Sequence, residues 1–88
     1  MKIIGKISEI YTEQIHKPKS GKVVEKEVVI LKMEMGQSVS VQFQGKDREL
    51  LKSYKENQEV IIDVFFNGQK TSKRFYDNIL GRAIVKLN

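Results

Sequence analysis

"SVSVQFQGKDRELLKSYKENQEVIIDVFF", residues 38–66, changes its hydrophobic period twice. In 38–44 apolar and polar residues alternate, with Val39, Val41 and Phe43 on one side and Ser40, Gln42 and Gln44 on the other. A period of two marks a half-buried strand with the first set inward. Residues 46–56 switch to helical spacing: Leu50, Leu51 and Tyr54 share one face, and Asp47 is placed to cap the N-terminus. Asn57 is a residue type that accepts the left-handed conformation ending a helix. Residues 59–66 return to strand composition, with Val60, Ile62, Val64 and Phe66 inward and Phe65 outward. The stretch predicts strand, helix, strand.

Outward from it, the N-terminal half supplies two further strands. Residues 2–13 carry Ile4, Ile7, Ile10 and Tyr11, and Gly5 interrupts strict alternation where a bulge or sharp bend is expected. Residues 14–22 read as a loop punctuated by Pro18 and Ser20-Gly21, and 23–33 as a Val- and Ile-rich strand, followed by a turn at Gly36. At the other end Asn67-Gly68 is a turn signal, and 69–86 read as a long last strand. No linker or repeat interrupts the series, so residues 1–88 form a single domain. Five strands with one helix between the third and fourth is the order of the OB-fold barrel, an all-β architecture whose closure removes exposed strand edges. An SH3-like barrel rarely carries a helix of this length at that position.

The charge is unevenly spread. The chain carries +5 at pH 7, yet residues 14–24 and 67–76 hold 6 of its 16 basic residues and none of its 11 acidic ones. Lys17, Lys19 and Lys22 lie in the first segment, and Lys70, Lys73 and Arg74 in the second. In the expected fold these are the connections after strands one and four, which flank the binding face. The absence of cysteine rules out disulfides and thiolate metal sites. Lys6, Ser8 and Glu9 break the N-terminal apolar run too early for a signal peptide, and no run is long enough to span a membrane, so a soluble cytoplasmic protein is expected. The only histidine, His16, sits beside Lys17 and Pro18 and reads as an exposed loop residue. No phosphate loop, HExxH or carboxylate cluster appears, so no enzyme activity, cofactor or metal is expected.

Gly5-Lys6-Ile7 with Glu9-Ile10, "KEVVIL" at 26–31, "NQEV" at 57–60 and "RFYDNILGRAI" at 74–84 occur in an order and spacing that resemble a family of short bacterial proteins of uncharacterised function. That family is common in Bacteroidetes and related to the single-stranded-DNA-binding proteins. The resemblance covers nearly the whole chain and implies an OB-fold and single-strand binding. Gln44 and Arg82 stand where it would place aromatics.

Single-stranded nucleic acid requires cations that follow the phosphates and flat side chains that stack on bases. The candidate set is Lys17, Lys19, Lys22, Lys70, Lys73, Arg74, Tyr76, Tyr11 and Phe65, with Gln42 and Gln44 outward on the third strand. Phe75 and Tyr76 point to opposite faces of a strand; Phe75 shares parity with Ile79, which favours Tyr76 outward, and a bulge reverses the choice. The expected function is non-enzymatic binding of single-stranded nucleic acid, DNA ahead of RNA, through basic loops 14–24 and 67–76. The alternative is an OB-fold interaction module that docks an acidic protein. The second strand is apolar on both faces, Val28 and Ile30 on one and Val29, Leu31 and Met33 on the other. Taken as outward, the second set predicts a homo-oligomer interface.

Overall fold

Strand β1 (Lys2–Lys17) pairs with two partners in succession. Residues Lys2–Lys6 lie antiparallel to Asp63–Glu59 of β4 (Glu59–Thr71), and from Lys6 onward the strand pairs with β2 (Lys22–Lys32). Gly5 sits where the partner changes. A Cβ there would stand 2.7 Å from the Lys32 carbonyl oxygen and 2.8 Å from Leu31 Cγ, so the close approach requires glycine. The bulge expected at Gly5 falls instead at Ser8, between the pairs Ile7–Leu31 and Glu9–Ile30. The computed structural model describes residues 1–17, 19–71 and 74–87, and for Ile15, Lys17, 67–71 and 74–78 the backbone alone.

β2 continues antiparallel into β3 (Ser38–Phe43) through a turn closed by Met33 N–H to Gln37 O at 2.7 Å, with Gly36 at φ +85°. A 3-10 helix (Gly45–Ser53) follows, then β4 and β5 (Arg74–Lys86). β3 meets β5 in parallel at Gln42–Leu80, and the five strands close into a ring in the order β1-β2-β3-β5-β4. This agrees with the sequence reading at its coarse level: mostly β, five strands, one helix between the third and fourth.

Several details differ. The helix is 3-10, not α, and spans 45–53 rather than 46–56. In a 3-10 helix positions three apart eclipse. Leu51 (buried) and Tyr54 therefore share the inner side, while Leu50 is turned out and exposed. Asp47 lies in the first turn; the cap position is Gln44, which makes no side-chain capping bond. Asn57 does take a left-handed conformation (φ 73°), in the turn before β4. The loop expected at 14–22 is mostly strand, since pairing persists to Lys17–Lys22, and His16 lies in β1 opposite Val23. Asn67-Gly68 is not the hairpin turn: both residues pair within β4–β5, which runs to Thr71–Arg74. The described residues of both basic segments therefore lie mostly in paired strands, 14–17 with 22–25 and 67–71 with 74–78.

The core collects the inward residues of every element. Ile7, Val29, Leu31, Val41, Phe43, Val60 and Ile62 are fully buried, and Leu51, Val64 and Ile84 nearly so. Val39, Val41 and Phe43 point inward as the alternation requires. The faces of β2 are the reverse of the expected ones. Val29 and Leu31 are core residues, paired with Val41 and Val39, so the interface proposed through Val29, Leu31 and Met33 has no outward stripe to use. Phe66 follows the inward parity of Val64 but lies beyond the ring and is half exposed. Tyr54 fastens the helix end by donating its hydroxyl to the Ile84 carbonyl at 3.1 Å.

Gly81 forms the floor under Phe43. A Cβ at 81 would stand 2.6 Å from Phe43 Cε2, so the ring lies directly on the backbone of β5. Gly81→Ala should lose about 1–3 kcal/mol by overpacking. Each kcal/mol lowers the thermal midpoint by about 4–8 °C in a domain of this size, so melting by circular dichroism reads the effect directly. An unchanged midpoint would mean that the ring does not rest there.

Candidate nucleic-acid interface

The strand register builds one continuous row on the outside of the ring. Tyr11 pairs with Val28, Val28 with Gln42, Gln42 with Leu80, and Leu80 with Phe65. Cross-strand partners share a face, and the inward neighbours of these residues (Ile10, Val29, Val41, Ile79, Val64) pack in or against the core. By this parity all five lie on the outer side of the sheet, with Tyr11 exposed, Gln42, Leu80 and Phe65 half-buried and Val28 covered. Four inter-strand steps at about 4.8 Å make an arc of about 19 Å that follows the curve of the ring. An aromatic ring stands at each end and an amide in the middle.

Tyr11 is 38% exposed, so its ring is accessible. Phe65 is half-buried under the guanidinium of Arg82, whose Cζ lies 3.9 Å from the ring centroid. That stacked pair presents a flat cation where the sequence lacks a second aromatic. Arg82 is the extra residue at the β4–β5 register shift, opposite no single partner between Asp63–Ala83 and Val64–Gly81. A bulge re-aims a side chain.

The centre of the row is ordered by Lys26. Its side chain is almost fully buried, with Nζ 3.0 Å from Gln42 Oε1 and 3.5 Å from Glu13 Oε1. A lysine can only donate, so Gln42 must turn its oxygen toward Lys26. Gln44 Nε2 also donates to that oxygen, at 3.3 Å. Gln42 is left with its amide N–H groups, and Gln44 with its carbonyl oxygen, for other partners. Val28, at 2% exposure, is covered although it lies outside the core cluster.

Below the row, Arg48 of the 3-10 helix reaches Glu27 at 3.1 Å and Glu25 at 4.0 Å, and Thr12 donates to Glu27 at 2.9 Å. Glu27 is thus a tether for the helix rather than a free surface carboxylate.

The structure brings Tyr11, Phe65, Gln42 and Gln44 to one outer face. Lys19 and Lys22 are exposed at the tip of the β1–β2 arm. Lys17, Lys70, Arg74 and Tyr76 are described by backbone only, with Tyr76 opposite Gln69 in the β4–β5 arm, and Lys73 lies outside the described residues. The choice between Phe75 and Tyr76 as the outward ring likewise falls outside the described side chains. Two contributors escaped sequence reasoning, Lys26 and Arg82. For Lys26 there was a signal in its parity with Val28 and Ile30; Arg82 was marked only as standing where the resemblance places an aromatic, and its partner Phe65 is seventeen positions away on another strand. No family model, curated protein or solved structure matches this chain.

Proposed function

We propose that this chain is a small OB-type domain that binds single-stranded nucleic acid, with DNA the first candidate, and performs no chemistry on it. The observation that carries the reading is the outward row Tyr11–Val28–Gln42–Leu80–Phe65, with an accessible ring at one end and a ring stacked by Arg82 at the other. The strand order β1-β2-β3-β5-β4, with a helix between β3 and β4, supports the OB assignment.

Rings and guanidinium planes stack on unpaired bases regardless of sequence. Gln42 and Gln44 offer amide donors and an acceptor between them. The row is curved, which suits a flexible strand and not a duplex, whose persistence length is about 50 nm. The exposed lysines of the first arm, Lys19 and Lys22, follow phosphates beyond the Tyr11 end of the row, six residues or about 20 Å along the strands. The sequence adds Lys17 to that arm, and Lys70, Lys73, Arg74 and Tyr76 to the other.

Charge and stacking separate this reading from the docking of an acidic protein. Each phosphate contact on a single strand contributes about −0.7 to the log–log salt slope. The variant Lys19→Ala/Lys22→Ala should therefore bind labelled oligo-dT with a slope shallower by about 1.4. Fluorescence polarisation over a salt series measures it. An unchanged slope would remove this arm from the interface.

A further inference from the structure

The outer face formed by the first residues of β1, the start of β4 and the end of β5 adjoins the Phe65–Arg82 end of the proposed binding row, with Asp63 two residues before Phe65 on β4. Three rows cross it in register. Lys2, Asp63 and Ala83 form the first, Ile4, Ile61 and Val85 the second, and Lys6 and Glu59 the third. Their inward neighbours Val60, Ile62 and Ile84 are buried in the core, so these residues point outward. The middle row is apolar and open: Ile4 is 56% and Val85 60% exposed. A shallow cleft of about 270 Å³ between Ile4 and Met33–Met35 extends the apolar surface toward the β2–β3 turn.

The charges on this face are ordered by strand. β1 contributes only cations (Lys2, Lys6), and β4 only carboxylates at the same levels (Asp63, Glu59). The four cancel, in a chain that carries +5. Asp63 is 3.5 Å from the N-terminal ammonium; Lys2, Lys6 and Glu59 make no ion pair within 4.0 Å among the described residues. A strongly acidic or basic partner would need one sign here.

We infer that this face docks a second copy of the chain. A two-fold axis running along the strands, between β1 and β4, lays β1 of each copy over β4 of the other. Lys2 then meets Asp63, Lys6 meets Glu59, and Ile4 meets Ile61, each twice, as an isologous contact requires. No other placement of the axis along the strands matches both cation–carboxylate levels at once. Sheet faces pack about 10 Å apart, which long lysine and glutamate side chains span around an apolar centre. Ring closure leaves no strand edge on this side, so the contact is by face and not by added pairing. The inference stands whether or not the outer row binds nucleic acid.

Sedimentation equilibrium tests it with swapped charges. The wild type should show twice the chain mass at high concentration. Lys2→Glu/Lys6→Glu puts carboxylates against carboxylates and should raise the dissociation constant by at least tenfold; Glu59→Lys/Asp63→Lys should do the same with cations. An equimolar mixture of the two variants should associate again, because each β1 then meets a β4 of opposite sign. Ile61→Lys gives an independent loss at the apolar centre if a charge variant fails to melt like wild type. A wild type that stays monomeric, variants that self-associate like wild type, or a mixture that does not recover association would each overturn the inference.

Discussion

Phe43→Ala lowers the unfolding free energy by about 3–5 kcal/mol, the loss expected when a large buried ring is removed and its cavity only partly collapses. Phe43 is fully buried at the centre of the ring, on β3, and rests on the backbone of Gly81 on β5. β3 and β5 share one bridge, Gln42–Leu80, so side-chain packing and not a hydrogen-bond ladder holds this seam closed. A domain of this size has about 5–15 kcal/mol to lose. The variant should therefore unfold at far lower urea concentration. Phe43→Leu should lose less, since it keeps part of the volume. Gly81→Ala should cost less in the Phe43→Leu background than alone, because the added methyl then has room; this is the coupling that residues in contact show. Urea titration of the wild type and these four variants checks both statements. Strict additivity would mean that the two positions do not touch.

The second large effect is on binding. Tyr11→Ala and Phe65→Ala each remove one stacking surface, worth about 1–3 kcal/mol per base. The rings stand at opposite ends of an arc of about 19 Å and so serve different bases. The double variant should lose about 2–6 kcal/mol, or at least about thirtyfold in affinity for oligo-dT. Tyr11→Phe should bind nearly as wild type, since stacking uses the ring and not the hydroxyl. If the double variant binds like wild type while the Lys19/Lys22 variant does not, the surface is electrostatic only and an acidic protein becomes the better partner.

Much of the fold was legible because it is written locally. The alternation of Val39, Val41 and Phe43 states which side of β3 is inward, and the structure agrees. β2 states nothing of the kind. Val28 and Val29 are both buried, one outside the core cluster and one within it, and only the register with Gln42 and Val41 decides which is which. The helix position was legible, but its type was not. A single buried anchor, Leu51, with Tyr54 three residues later fits 3-10 geometry as well as α. The turn signal at Asn67-Gly68 lost to a ladder that continues three residues further to Thr71–Arg74. Of the candidate site, Phe65, Gln42 and Gln44 were placed outward by parity, and Tyr11 was named with its direction open between capping the core and presenting its ring. That they share one face depends on pairings across five strands, which no local pattern encodes. Lys26 and Arg82 entered only through partners distant in sequence.

The most direct test of the binding row is a fluorescence-polarisation titration of the wild type with labelled oligo-dT and with a duplex of equal length at about 50 mM salt. The row predicts saturable binding of the single strand, weaker binding of the duplex, and a salt slope of about −0.7 per phosphate contact. No binding of oligo-dT, or a duplex bound as tightly as the single strand, would contradict it.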